Sequence, residues 1–153
     1  MPFHQEHFAP LEPEVEKVVR KLVSDAIPFN KLLGIEVELA RKGYVRLRVD
    51  YRHEFIGNPL IPALHGGFLA AVLDVAGGAA ALTTLSKVTD RISTVDMRID
   101  YIRFGMEKDI IAEGHVLRTG NRIVVTEMSI RHEDDDDTLA FGRGVFNVRK
   151  EGE

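Results

Sequence analysis

The run His65-Gly66-Gly67-Phe68-Leu69-Ala70-Ala71-Val72-Leu73-Asp74-Val75-Ala76-Gly77-Gly78-Ala79-Ala80-Ala81-Leu82 decides the fold. From Gly66 onward its apolar residues go nearly all the way round a helix, the pattern of a helix buried on every side. It is short for a bilayer span, and it carries Asp74 at its centre and the Gly77-Gly78 pair. The spacing therefore predicts a buried core helix from Gly66 to about Leu85, which needs other elements to wrap it.

The flanking sequence supplies the wrapping. Upstream, Val45, Leu47, Val49 and Tyr51 alternate with Arg46, Arg48 and Asp50, the pattern of a half-covered antiparallel strand. Gly34 to Ala40 is a second candidate strand, with a tight turn at Lys42-Gly43 between the two. Downstream, Val95, Met97, Ile99 and Tyr101 alternate with Asp96, Arg98 and Asp100. Strands at Asp109–Arg118, Arg122–His132 and Thr138–Arg149 follow, with hairpin turns at Gly120-Asn121 and Glu133–Asp137. Gly57, Asn58, Pro59 and Pro62 mark a loop before the helix. Earlier still, Val15, Val18, Val19, Leu22, Val23 and Ala26 recur at helical spacing between Pro13 and Pro28, an amphipathic surface helix. The expected architecture is α+β: a curved antiparallel sheet wrapped around a long central helix, preceded by an N-terminal amphipathic helix. With no repeat or linker, residues 1–153 read as one domain, residues 1–12 forming a flexible lead-in.

Composition narrows the function classes. The chain has 153 residues, 44% hydrophobic and 29% charged, with a net charge of −4. That balance suits a core-forming globular protein and disfavours a large nucleic-acid surface. Without cysteine there is no disulfide scaffold, thiol nucleophile or thiolate zinc site. Met1 to Pro10 has no apolar run and is not a secretory signal. The expected location is cytoplasmic, with neither membrane nor nucleic acid as partner.

Two features carry chemistry. Asp74 lies mid-helix among Ala, Val, Leu and Gly, where an unpaired carboxylate costs several kcal/mol. Such a residue is tolerated when it faces a cleft or a partner subunit, and a carboxylate in apolar surroundings is well suited to act as a base. The alternative is an acid that merely caps or salt-bridges a neighbour. His65-Gly66-Gly67 stands where loop becomes helix. The first N–H groups of a helix lack intrahelical partners, the dipole adds positive charge, and glycine admits a close approach. This suits an oxyanion hole for a carbonyl, or a plain glycine-rich helix entry. No serine sits in a strand–turn–helix elbow, and His65 with Asp74 lacks a third metal ligand at a familiar spacing.

His65-Gly66-Gly67 followed by Asp74, with the later run Ser93-Thr94-Val95-Asp96-Met97-Arg98-Ile99-Asp100-Tyr101, resembles the hotdog-fold acyl-CoA thioesterases of the phenylacetate-degradation type. The resemblance spans roughly residues 34 to 148. It implies hydrolysis of an acyl-CoA thioester to free acid and thiol, with water as co-substrate and no metal or organic cofactor. In that scheme Asp74 activates water, the Gly66 N–H polarises the carbonyl and Thr94 orients the water or the acid. Asn58 helps hold the carbonyl or the water, although the position six before His65 is Pro59 and Asn58 lies seven before. His65, Gly67 and Phe68 contact substrate, His65 chiefly by shaping the loop. The acyl chain enters a slot lined by Phe68, Leu69 and Val72. The resemblance also implies a homodimer, or a tetramer of paired dimers, in which Asp74 faces the Asn58 loop and Gly66 of the other subunit; an open sheet edge agrees with that.

Two rivals stand beside this reading. One is a dehydratase or hydratase of 3-hydroxyacyl thioesters, which would use a histidine with an acid. The other is a non-catalytic acyl-CoA-binding module. The acidic run Glu133–Asp137 reads as a solvated hairpin tip rather than a cation loop. Arg103, Arg118, Arg122, Arg143 and Lys150 are open candidates for coenzyme A phosphates.

Overall fold

In the computed structural model, which describes residues 3–87 and 89–152, a helix and a sheet share one core. Residues 1, 2, 88 and 153 of the expected domain lie outside that description. The elements run α1 (Pro13–Arg20), a π-helical turn (Lys21–Ala26), α2 (Pro28–Leu33), β1 (Ile35–Arg41), β2 (Tyr44–Val49), β3 (Ile56–Asn58) and β4 (Ala63–Leu64). Then come α3 (Gly66–Leu82), β5 (Arg91–Tyr101), β6 (Ile110–Thr119), β7 (Ile123–His132) and β8 (Thr138–Arg149). Six strands pair antiparallel in the order β1-β2-β6-β7-β8-β5, and β3 and β4 form a separate short hairpin.

All six strands of the large sheet touch α3. At about 4.8 Å per strand the sheet is roughly 24 Å across, against a helix about 10 Å in diameter. Every strand can reach one helix only if the sheet curls round it, which is the hotdog arrangement expected. The contact is close because small residues meet there. A side chain on Gly77 would stand 2.8 Å from Thr126 Oγ1 and 2.9 Å from Met128 Sδ, and one on Gly114 of β6 would run into the Ala76 carbonyl. Phe68, Leu69, Val72 and Leu73 are buried, each stabilising the fold by about 1.5–3 kcal/mol. Leu82, expected among them, is only half-buried.

The N-terminal region departs from the regular helix expected up to Ala26. After Arg20 the helix widens, and the Ile27 N–H returns to the Leu22 carbonyl at 3.2 Å. Pro28 ends this run by holding Ile27 extended, and it also opens α2, an element the apolar periodicity did not show. Gly34, with φ +71°, closes α2 in the left-handed conformation that glycine adopts freely. The preceding segment is held against the sheet: Pro10 bridges to Arg41 and Phe8 stacks on Tyr44 at 5.0 Å.

The other boundaries differ modestly. The loop expected over Glu54–Leu64 contains the β3–β4 hairpin. The central helix ends at Leu82 rather than Leu85, where Thr83 donates to the Ala80 carbonyl and accepts from the Gly43 N–H. The acidic turn after β7 is tied down by ion pairs from Arg103 to Asp135 and Asp137 and from Lys108 to Asp134. Among the described residues no helix is long and apolar enough to cross a membrane, and no His/Asp/Glu group could hold a metal ion.

Candidate active site

Asp74 lies in the middle of α3, half-buried, and accepts a hydrogen bond from Thr94 Oγ1 at 2.8 Å. A slip in β5 makes this bond possible. Thr94 opposes Phe146 and Asp96 opposes Val145, so Val95 is an extra residue in the ladder. Strand side chains alternate between faces, and one inserted residue switches the alternation. Ile92 and Thr94 face α3 before the bulge; Met97 and Ile99 pack on the same core after it. Without the bulge, Thr94 and Met97 would point to opposite faces. The acid is not sealed: among the described residues no ion pair reaches it, and it lines a cleft of about 730 Å³.

The cleft runs between α3, the N-terminal helices and the start of β5. Its α3 wall is Ala71, Val75, Gly78, Ala79 and Leu82, and opposite stand Leu22, Ile27 and Phe29. Thr94 meets the acid, and Arg91, Ile92 and Ser93 of the same strand line the cleft with it. Phe68, Leu69 and Val72, expected to line an acyl slot between two central helices, do not line this cleft. Leu69 and Val72 are packed in the core, and Phe68 stacks on Phe55 with ring centroids 4.0 Å apart. The periodicity held the missing signal: Ala71, Asp74, Val75, Gly78 and Leu82 share one stripe of the helix. The π-helical turn that brings Leu22 to the cleft left no trace in the apolar spacing.

The helix entry is built differently. His65 is the N-cap of α3, and its Nδ1 accepts the Gly67 N–H at 2.8 Å. That bond makes Nδ1 the acceptor and leaves any ring proton of the neutral form on Nε2. It also engages the Gly67 N–H, while the Gly66 and Phe68 N–H groups at the helix start have no intrahelical partner, Leu69 being the first amide to bond back, to the His65 carbonyl. Tyr101 donates to the Gly66 carbonyl at 2.9 Å, and its ring would be 3.3 Å from a side-chain carbon at position 66. His65 and Phe68 border a smaller hollow of about 370 Å³ with Leu32, Arg52, Glu54 and Phe55. Asn58 stands in the β3–β4 hairpin, where its Oδ1 accepts the Leu60 N–H at 3.0 Å.

One chain therefore brings Asp74 and Thr94 together and keeps Asn58, His65, Gly66, Gly67 and Phe68 off the cleft that Asp74 lines. Eight residues separate Gly66 from Asp74, about 12 Å along a helix. A single carbonyl cannot be within hydrogen-bond reach of both in the same chain.

A second acid shows what a purely structural carboxylate looks like here. Glu113 on β6 is 2% exposed and accepts the Tyr44 hydroxyl. Burial and the neighbouring carboxylate hold that phenol above its ordinary range. Glu113 does not line the Asp74 cleft. Of the candidate phosphate-binding cations, Arg103 is spent on the acidic turn, Arg143 pairs with Glu127 at 3.1 Å and Lys150 donates to Asn121.

Known proteins place this geometry in a family. A family model described as the thioesterase superfamily matches residues 62–139. A medium/long-chain acyl-CoA thioesterase (YigI) of Salmonella typhimurium is 32% identical over 130 residues, covering 77% of this chain and 84% of the relative. Its Escherichia coli K12 counterpart is 31% identical over the same length. A crystal structure from Shewanella oneidensis, related to the thioesterase superfamily, superposes with a TM-score of 0.77 at 30% identity, over 90% of this chain and 99% of that one. The match takes in the helix that carries the acid and the strand that carries its hydroxyl partner, and on that footing the chain belongs to the thioesterase superfamily.

Proposed function

We propose that this protein hydrolyses acyl-CoA thioesters, with Asp74 as the general base. The observation that carries the reading is the Thr94–Asp74 hydrogen bond in a largely apolar cleft. Thr94 holds one carboxylate oxygen and leaves the other for a water molecule. Asp74 takes a proton from that water as its oxygen attacks the thioester carbon. The oxyanion that forms is met by the Gly66 N–H and the positive end of a helix. Collapse breaks the C–S bond, and the thiolate receives the proton from Asp74, giving a free acid and coenzyme A.

The Gly66 in this scheme belongs to a second copy of the chain. Three features support that: the 12 Å gap within one chain, the free edge of β5, and the apolar surface beside it, where Val95 is 60% and Phe104 74% exposed. A monomer rarely leaves such a surface open. Medium to long acyl groups fit the cleft volume and match what the YigI relatives are named for. The finer likeness to the phenylacetate-degradation type rests on His65-Gly66-Gly67, Asp74 and the run from Ser93 to Tyr101, whereas the relatives with a named substrate are medium/long-chain thioesterases. The dehydratase alternative gains nothing, because His65 is engaged as a cap and does not line the cleft of Asp74.

Thiol release from a panel of acyl-CoAs tests the activity, and unchanged turnover in a folded Asp74→Asn variant would reject the base. Tight binding without thiol release would favour the non-catalytic alternative. Mixing inactive variants tests the shared site. Gly66→Pro removes the N–H at a position where helices accept proline. Combined with Asp74→Asn, it regains activity if each site draws on two chains, and stays inactive if both groups act within one.

A further inference from the structure

Gly77 and Gly78 are adjacent in α3 yet face different surroundings. At Gly77 a side-chain carbon would strike Thr126, Met128 and Phe146 at 2.8–2.9 Å, so packing demands its bareness. At Gly78 the nearest atom would be Phe146 Cε1 at 3.4 Å, an ordinary contact. Packing leaves room for a methyl group there. A glycine inside a helix costs about 0.5–1 kcal/mol relative to alanine, and nothing in the core accounts for that cost. Gly78 does, however, form part of the cleft wall.

Its position along that wall is informative. Asp74, Gly78 and Leu82 lie on one stripe of α3, one turn apart, about 6 Å per step. An extended alkyl chain advances about 1.3 Å per carbon, given C–C bonds near 1.5 Å. A chain whose carbonyl sits at Asp74 passes Gly78 about five carbons in and reaches Leu82 at about nine. Apolar side chains of the N-terminal helices, among them Leu22 and Ile27, line the same cleft.

We infer that Gly78 is the residue that sets acyl-chain length, its missing side chain being the passage through which a medium chain reaches the part of the cleft lined by Leu82. This rests on the thioesterase reading above, since it takes Asp74 as the reacting end. It predicts that filling the passage discriminates against long substrates rather than against catalysis in general. A butyryl chain stops short of Gly78; a decanoyl chain must pass it.

The experiment is the ratio of kcat/KM for decanoyl-CoA to that for butyryl-CoA in wild type, Gly78→Ala, Gly78→Val and Gly78→Leu. The ratio should fall in that order, by at least about tenfold for Gly78→Leu, because a misfit of one methylene in an apolar pocket is worth about 10–200-fold. If Gly78→Leu fails to fold, the alanine variant still decides the matter, because its added carbon makes only an ordinary contact with Phe146. A ratio that stays constant across the folded variants overturns the inference. Absence of thiol release by the wild type, from either substrate, would instead defeat the thioesterase reading. Asp74-dependent turnover with an unmoved ratio defeats the chain-length assignment alone.

Discussion

The two faces of α3 are made from nearly the same residue types and serve opposite ends. The sheet face, with Leu69, Val72, Leu73, Ala76, Gly77 and Ala80, is buried against the strands. The cleft face, with Ala71, Asp74, Val75, Gly78 and Leu82, is half-exposed. Helical residues turn about 100° per step, so neighbours in sequence fall on different faces. Leu73 and Asp74 are one such pair, and Gly77 and Gly78 another. A helix apolar all round is thus two surfaces: one where shape fixes stability, one where a gap and a charge are kept open.

The largest test of that contrast sets Asp74 against its neighbour. Asp74→Asn keeps an oxygen to accept from Thr94 but cannot take a proton. Turnover should fall by about 10²–10⁴-fold, the usual weight of a general base, while the denaturation midpoint stays close to wild type. Leu73→Ala should do the reverse. It empties a fully buried site and should cost about 2–5 kcal/mol of stability, read from the denaturation midpoint, with turnover per folded molecule retained. If both variants lost stability alike, the cleft face would be core after all.

Thr94 sharpens the comparison from across the cleft. Hydrogen bonds to a charged group contribute about 1.5–3 kcal/mol. Thr94→Val should therefore lower kcat by roughly 10–100-fold, and Thr94→Ser, which keeps the hydroxyl, should restore most of it. Retained kcat in Thr94→Val together with loss in Thr94→Ser would mean that the methyl group, not the hydrogen bond, is what matters. Thr94 is a positioning residue, and the serine rescue is the readout that a merely structural role would not produce.

Much of the fold was legible because periodicity reports burial. The all-round apolar run from Gly66 required a wrap, and the alternating segments on both sides were that wrap. Asp74 stood out for the same reason: a charge has no business on a helix face that is otherwise greasy unless something polar meets it. Three features stayed hidden. The bulge at Val95 depends on register, which alternation in a single strand cannot fix, and with it went the reason Thr94 faces the acid. The π-helical turn depends on one backbone bond, from Ile27 to Leu22, and changes which side chains reach the cleft without changing the composition. Glu113 gave no signal in sequence, since an acid on an alternating strand is ordinary until Tyr44 is seen to cover it.

The two glycines offer the smallest and most discriminating contrast, because the same substitution should move stability in opposite directions one residue apart. Gly77→Ala inserts a carbon where Thr126, Met128 and Phe146 already touch. Overpacking of this kind costs about 1–3 kcal/mol, more than the helix propensity that alanine adds. Gly78→Ala meets only the edge of Phe146 at 3.4 Å and gains that propensity in full. It should raise stability by up to about 1 kcal/mol, measured as the shift in urea midpoint at constant slope. A native sequence that forgoes this gain at an unstrained position keeps the glycine for something other than stability. Were Gly78→Ala as damaging as Gly77→Ala, the wall there would be packed rather than open, and the division of α3 into a filled face and a vacant one would fail at its centre.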